Sequence, residues 1–131
     1  MPPVRTTCPR GHRRAKQTSV SPGELRDEPF VFFPTTAGKR AYEKPVSLCE
    51  EHGFRPQVVQ EAPQWLTILR LVGAGLGVSI APACVQQIAG PEVVCRRLRG
   101  AKVTSDIELA YRADENRAIV RTFLTIARNT F

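Results

Sequence analysis

Two threonines and one glutamate stand where side chains of an α/β protein can hold a ligand. Thr35 and Thr36 directly follow the apolar run EPFVFFP, and Glu61 follows a second run that favours a strand. In open α/β sheets, ligands bind beyond the carboxyl ends of the strands. The threonine hydroxyls, with free backbone N–H groups at a helix start, can hold a carboxylate or another anion. The alternative is structural: the threonines close a turn, and Glu61 faces a helix dipole without any ligand.

The sequence offers few side chains for catalysis. It contains no GxSxG, P-loop, HExxH or paired CxxC motif. His12 and His52 have no credible triad partners, and Cys8 with His12 is at most half of a zinc site. The adjacent acids Asp114 and Glu115 suit the start of a helix better than acid–base catalysis. We therefore expect a protein that is not an enzyme and that uses no metal or cofactor.

The stretch from residue 58 to residue 83 predicts the element that positions the candidate residues. Val58 and Val59 favour a strand, and Pro63 suits the first turn of a helix whose apolar residues then recur at helical spacing. A glycine-rich turn ends that helix, and Val78–Ala81 forms a short strand. This pattern predicts a βαβ unit with two parallel, buried strands.

The rest of the chain continues the alternation of strands and helices. Further strands are predicted at 28–33, 93–98 and 107–111, and helices at 39–52, 83–88 and 116–128. Pro45 either kinks the first of these helices or marks its late start, and Gly53 ends it. Such alternation indicates an α/β fold with a mostly parallel sheet flanked by helices.

The amino-terminal segment differs in composition from the remainder. The formal net charge is +7, and residues 1–20 carry five basic and no acidic side chains, so the rest of the chain is nearly balanced. Residues 1–24 also contain several prolines and few large apolar residues. We expect them to form a disordered basic head, with a folded domain at 25–131. Such a head would attract nucleic-acid phosphates without sequence preference.

Apolar patterning and cysteine spacing predict the cellular compartment. No apolar run approaches the ~20 residues that span a bilayer, and the amino terminus lacks the apolar centre of a secretory signal. We expect a cytoplasmic protein with no membrane partner. Its four widely spaced cysteines are then reduced thiols rather than a disulfide framework: Cys8, Cys49, Cys84 and Cys95.

Four phrases, in this order and at these spacings, resemble the effector-binding region of the LysR-type bacterial transcriptional regulators. They are EPFVFFP at 28–34, SLCEEHGFRPQVVQE at 47–61, QEAPQWLTILRLVGAGLGVSIAPA at 60–83 and LAYRADENRAIVRTFLTIAR at 109–128. The resemblance implies half of a periplasmic-binding-protein-like (type 2) fold: the second regulatory subdomain with the last helix of the first. It also implies that this chain is truncated, without the DNA-binding winged helix-turn-helix or most of the first subdomain.

The same resemblance carries over a set of candidate site residues. Positions near the family's effector cleft are matched by Pro34, Thr35, Thr36, Glu61, Ala62, Gly77, Val78 and Ser79. Structural alternatives stay open here as well, since Ser79 can face the sheet and Gly77 can simply permit a close approach of helix and strand. Because a cleft needs two walls and this chain supplies one, we expect weak affinity for small acids.

The resulting prediction is a small-molecule effector-binding domain of a LysR-type transcriptional regulator. Its effector is a small organic molecule, with an anion favoured, and specific DNA binding is left to a separate domain. We expect a homo-oligomer or association with full-length regulators. Two alternatives are a protein-interaction fragment, whose final helix pairs with intact regulators, and a non-functional remnant.

Overall fold

The computed structural model describes residues 4–37, 39–101, 110 and 112–130. In this part of the chain the strands are β1 (Val4–Pro9), β2 (Ser19–Val20), β3 (Pro29–Phe32), β4 (Gln57–Glu61), β5 (Ser79–Pro82) and β6 (Val93–Leu98). The α-helices are α1 (Lys44–Glu51), α2 (Trp65–Gly73) and α3 (Ala118–Thr130). Short 3₁₀ segments lie at Arg13–Lys16, Pro22–Leu25, Thr35–Ala37 and Ala83–Ile88, and a π-helix at Lys39–Glu43. The strand predicted at 107–111 lies outside the described residues, apart from Ala110.

The strands form two ladders that meet at one bridge. The first has the order β2-β6-β1-β5, and the second pairs β3 with β4. They join where the Val31 N–H donates to the Val78 carbonyl and the Val78 N–H donates to the Pro29 carbonyl, each at 2.9 Å. β1 runs antiparallel to both of its neighbours, whereas the other pairings are parallel. The predicted α/β fold with a mostly parallel sheet is therefore confirmed, with β1 as the reversed strand.

Residues 4–24 are ordered, in contrast to the disorder predicted for residues 1–24. β1 lies between β5 and β6 in the sheet. Its Thr6 and Thr7 are fully buried and direct their hydroxyls to the Ser79 carbonyl oxygen, at 3.2 and 3.5 Å. The prediction of disorder is wrong for residues 4–24, because β1 enters the core with hydrogen-bonded threonines rather than with large apolar side chains.

Acids farther along the chain neutralise part of the amino-terminal charge. Arg13 pairs with Glu28 at 2.9 Å, and Arg14 lies 3.5 Å from Glu24. Arg10 donates to the Pro91 carbonyl. The segment is thus folded into the domain and is not the free basic tail on which the idea of non-specific nucleic-acid binding rested.

The two strands of the predicted βαβ unit differ in burial. β5 is buried, as expected, and runs parallel to β4 with β3 between them. β4 is instead an edge strand: Val58 is half-buried and its other residues are exposed. The expectation of a buried β4 is wrong because β3 covers only one of its sides, and the Gln-Val-Val-Gln-Glu sequence leaves polar groups toward solvent.

The helix after β3 begins late, as one of the two interpretations of Pro45 predicts. The π-helical turn precedes α1, and Pro45 lies in the first turn of α1, where its missing N–H is not needed. The chain leaves the helix through Gly53, whose φ of 84° is in the left-handed region. The predicted stop at Gly53 is confirmed.

Two apolar clusters cover opposite faces of the sheet. Along β3, Phe30 and Phe32 face the cluster beneath α1, whereas Val31 faces the cluster beneath α2, as strand alternation requires. Full burial of one such side chain contributes about 1.5–3 kcal/mol. Among the residues that the structure describes, no helix has the length and apolar character needed to cross a membrane.

Candidate functional site

The carboxyl ends of β3 and β4 meet at one edge of the sheet. Phe32 lies opposite Glu61 in the parallel ladder, and the Ala62 N–H donates to the Phe32 carbonyl at 3.0 Å. The residues that follow each strand, Phe33–Thr36 and Ala62–Gln64, therefore leave the sheet side by side. The structure thus brings together five of the predicted site residues: Pro34, Thr35, Thr36, Glu61 and Ala62.

The two threonine hydroxyls are available to a ligand. Thr35 and Thr36 are exposed, and the turn that contains them is closed by a backbone bond from the Ala37 N–H to the Pro34 carbonyl at 2.9 Å. Within the described part of the chain, neither hydroxyl has a protein partner. The turn therefore does not need these hydroxyls, which weakens the purely structural interpretation of the pair.

The amino terminus of α2 supplies hydrogen-bond donors at the same edge. Gln64 is the N-cap residue in an extended conformation and makes no side-chain cap, and the first turn contains no acid. The bond from the Ile68 N–H to the Gln64 carbonyl, at 3.1 Å, opens the helical pattern, so the N–H groups of residues 65–67 have no intrahelical acceptor. These N–H groups and the helix dipole favour an anion.

An aromatic pair forms the apolar part of this edge. The rings of Phe33 and Trp65 meet edge to face, with centroids 4.9 Å apart and an interplanar angle of 86°. Both side chains are half-buried and pack against the cluster beneath α2. Phe33 and Gln64 were not among the predicted site residues, although their positions directly after β3 and directly before α2 signal their location.

Glu61 and Ala62 have different environments. Ala62 is buried, whereas Glu61 is exposed, and its carboxylate has no partner among the described residues. The Glu61 backbone carbonyl accepts a hydrogen bond from the Gln60 side chain at 3.0 Å. Glu61 therefore adds an acceptor and a negative charge beside the donors of Thr35, Thr36 and α2.

The other three predicted residues lie at the opposite edge of the sheet. Val78 pairs with Phe30 near the start of β3, so Gly77, Val78 and Ser79 lie at the amino end of β5. All three are buried. The Ser79 hydroxyl is enclosed and has no hydrogen-bond partner. The structure thus separates these three residues from the group at Thr35 and Glu61.

The buried cysteines are thiols of the core. Burial raises the pKa of Cys8 to about 11 and that of Cys49 to about 12, so both remain protonated at neutral pH. Cys8, Cys49, Cys84 and Cys95 are free cysteines, as predicted, and Cys84 is exposed. Protonated, buried thiols are poor nucleophiles and poor metal ligands.

The fold is that of an effector-binding domain of the LysR type. The family model described as "LysR substrate binding domain" matches residues 3–131, and the chain belongs to this family. The predicted resemblance to LysR-type regulators is confirmed, and so is the periplasmic-binding-protein-like fold.

Individual relatives agree with this assignment. The chain is 28% identical over 125 residues to the HTH-type transcriptional regulator AlsR of Bacillus subtilis (strain 168), covering 95% of this chain and 41% of AlsR. The crystal structure of HinK, a LysR family transcriptional regulator from Pseudomonas aeruginosa, matches with a TM-score of 0.78 and 26% identity over 98% of this chain and 45% of HinK. The chain therefore spans less than half the length of both proteins.

A third structure contains a bound small molecule. The effector binding domain of QuiR in complex with shikimate matches with a TM-score of 0.76, covering 99% of this chain and 63% of that one. Its sequence identity is 19%, so this likeness shows a shared fold.

Proposed function

We propose that this chain binds a small hydroxylated carboxylic acid at the carboxyl edge of β3 and β4, as the regulatory domain of a LysR-type transcriptional regulator. One observation is the main support for this proposal. The Thr35 and Thr36 hydroxyls, which have no partner among the described residues, lie beside the uncapped start of α2. Shikimate, which is bound in the QuiR structure, belongs to this chemical class.

Each group at the edge has a role in this proposal. The N–H groups at the start of α2 and the threonine hydroxyls donate to the carboxylate of the effector. Glu61 accepts from a hydroxyl of the effector, because its carboxylate would repel a second anionic group. Phe33 and Trp65 contact the apolar part of the molecule. Pro34 and Ala62 shape the backbone of this wall.

The regulatory role follows from the family and not from chemistry at the site. A bound effector shifts the arrangement of regulator subunits in the cytoplasm, and a separate winged helix-turn-helix domain reads the DNA. The chain carries out no reaction in this proposal. Gly77, Val78 and Ser79 support the site indirectly, by joining β5 to β3 at the far edge.

A titration with shikimate, followed by ¹H–¹⁵N NMR, tests the proposal. One wall of a cleft gives weak affinity, for which we expect a Kd on the order of millimolar. The amides of residues 35–37 and 62–67 should shift in a saturable manner, and the methyl ester of shikimate should cause at least tenfold smaller shifts because it lacks the charge.

A pair of variants ties the shifts to the named side chains. Replacement of both Thr35 and Thr36 by valine should weaken shikimate binding about tenfold, which corresponds to the loss of about 1.4 kcal/mol of hydrogen bonding. Thr18→Val is the matched control, because Thr18 is exposed and directly precedes β2, the strand farthest from β3 in the sheet. This variant should leave binding unchanged. Shifts that cluster away from the α2 start, or equal affinity in all variants, would contradict the proposal.

The second candidate function, a protein-interaction surface, is favoured by α3. Ile119, Phe123 and Ile126 recur at helical spacing and are 78%, 60% and 58% exposed. An apolar helix face left open in this way commonly marks an interface. Sedimentation should show a dimer or a complex with a co-expressed full-length LysR-type regulator. Replacement of Phe123 and Ile126 by serine should abolish this association, whereas Thr122→Ser should leave it intact. If the wild type and both variants were all monomeric, this role would be ruled out.

A further inference from the structure

Two arginines lie directly opposite each other on neighbouring strands. Arg5 of β1 and Arg97 of β6 are partners in the antiparallel ladder, so their side chains leave the same face of the sheet. Side chains directly opposite each other have Cβ atoms about 5 Å apart, and like charges in this arrangement are destabilising. The neighbour of Arg5 on its other side, Ala81 of β5, is a small buried residue that offers no counter-charge.

The described part of the chain contains no acceptor for either guanidinium group. Arg5 is half-buried, and its Nε is enclosed without a hydrogen-bond partner. Arg97 is exposed and likewise makes no ion pair with the described residues. Other arginines nearby are satisfied: Arg96 donates from Nε to the Ala15 carbonyl at 2.9 Å, and Arg99 lies 3.8 Å from Glu24.

A neighbouring cysteine adds no negative charge to the pair. Cys95 precedes Arg97 on the same face, and although burial raises the pKa of the Cys95 thiol, the charges of Arg5 and Arg96 oppose that rise. The thiol therefore lies within the field of Arg5 and remains neutral. Two guanidinium groups on one face of the sheet, with no acid among the described residues paired to either, together describe a receptor for an anion.

We propose that Arg5 and Arg97 form a binding site for a phosphate monoester, separate from the edge at Thr35 and Thr36. Two guanidinium groups match the charge of a phosphate group, which is about −1.5 to −2 at neutral pH. Each planar guanidinium group donates two hydrogen bonds to the phosphate oxygens. A carboxylate, which carries one charge and two oxygens, cannot accept all four of these bonds equally well. β5 lies between β1 and the bridge to β3, so the two sites do not share a strand.

Calorimetric titration of the 131-residue chain with inorganic phosphate tests the site, with acetate as the carboxylate arm and chloride used to match ionic strength. We expect saturable phosphate binding and at least tenfold weaker binding of acetate. Arg5→Gln and Arg97→Gln should each weaken phosphate binding at least tenfold. Arg121→Gln, at an exposed arginine of α3, is the matched control and should leave it unchanged.

Thermal unfolding without phosphate separates a binding role from a structural one. Because each substitution removes a like-charge contact, Arg5→Gln and Arg97→Gln should leave the unliganded Tm unchanged or raise it. General stabilisation by phosphate as a co-solvent would affect every variant equally. The proposal would be overturned if phosphate did not bind or if acetate bound equally well. It would also be overturned if Arg5→Gln and Arg97→Gln lowered the unliganded Tm and left the phosphate affinity unchanged.

Discussion

Replacement of Gly77 by alanine should lower the free energy of unfolding by about 3 kcal/mol, at the upper end of the usual cost of overpacking. A Cβ at this position would lie 2.4 Å from the Pro29 carbonyl oxygen and 2.9 Å from its carbon. That carbonyl is backbone, and it accepts the Val78 N–H at 2.9 Å in the bridge that joins β5 to β3. The new methyl group and this hydrogen bond therefore cannot both be accommodated.

Two other glycines are matched controls for urea unfolding of Gly77→Ala. A Cβ at Gly23 would meet no atom within 4 Å, so Gly23→Ala should be neutral or slightly stabilising. Gly75 also has open space but a φ of 90°, so Gly75→Ala should cost only about 1 kcal/mol of backbone strain. Equal stability changes at all three positions would show that the close approach of Gly77 to Pro29 is not what holds the two ladders together.

The elements with strong apolar patterns are the ones that the sequence predicts well. Val31, flanked by phenylalanines, and the periodic Ile68, Leu69 and Val72 bury large side chains, and burial of this kind follows directly from hydrophobic spacing. Gly53 ends its helix because few other residues adopt a positive φ. These signals are local, so no knowledge of distant partners is needed.

β1 escapes prediction because its stabilising partners are distant in sequence. The Thr6 and Thr7 hydroxyls bond to the Ser79 carbonyl, more than seventy residues away. A local reading of polar residues flanked by arginines favours disorder, since neither the acceptor nor the distant acids are visible in it. The burial of threonine in a central strand depends on tertiary structure alone.

The candidate site was predictable where it depends on strand order and unpredictable where it depends on family position. Thr35 follows β3 and Glu61 is the last residue of β4, so their meeting at one edge is a consequence of parallel pairing. Ser79 begins a strand instead of following one, and the direction of β5 therefore puts it at the other edge. The resemblance to the family placed Ser79 in one group with Thr35 and Glu61. The direction of the chain in a parallel sheet puts Ser79 at the other edge.

A charged cluster fixes the ordered amino-terminal segment to the start of β3. One oxygen of Glu28 accepts from His12 Nε2 at 2.9 Å, and the other accepts from Arg13 Nη2 at 2.9 Å. His12 Nδ1 accepts the Arg14 N–H at 3.0 Å, which assigns the ring hydrogen to Nε2. Glu28 is only 9% exposed, so its carboxylate depends on these donors in place of water.

Glu28→Gln should therefore destabilise the protein by about 2 kcal/mol at pH 7, the usual scale for hydrogen bonds to a charged group. The glutamine amide presents donors to a site whose partners are also donors, so at least one contact is lost. Glu51→Gln is the matched control, because Glu51 is an exposed glutamate of α1 with no described partner, and it should change stability by less than about 0.5 kcal/mol.

The pH dependence of this difference identifies the carboxylate as its source. Burial acts to raise the pKa of Glu28, but the hydrogen bonds from His12 and Arg13 outweigh it, and the pKa falls below its ordinary value of 4.5. Between the lowered pKa and about pH 4.5, the folded state binds fewer protons than the unfolded state, so stability rises with pH. The stabilisation is complete above about pH 4.5 and is lost as the pH falls through the lowered pKa.

Urea unfolding of the wild type and Glu28→Gln at pH 3 to 7 measures the gap between their free energies of unfolding. This gap should be constant above about pH 5 and should close toward pH 3, because a protonated Glu28 resembles glutamine. A gap that persists undiminished at pH 3 would show that shape, and not charge, makes Glu28 important.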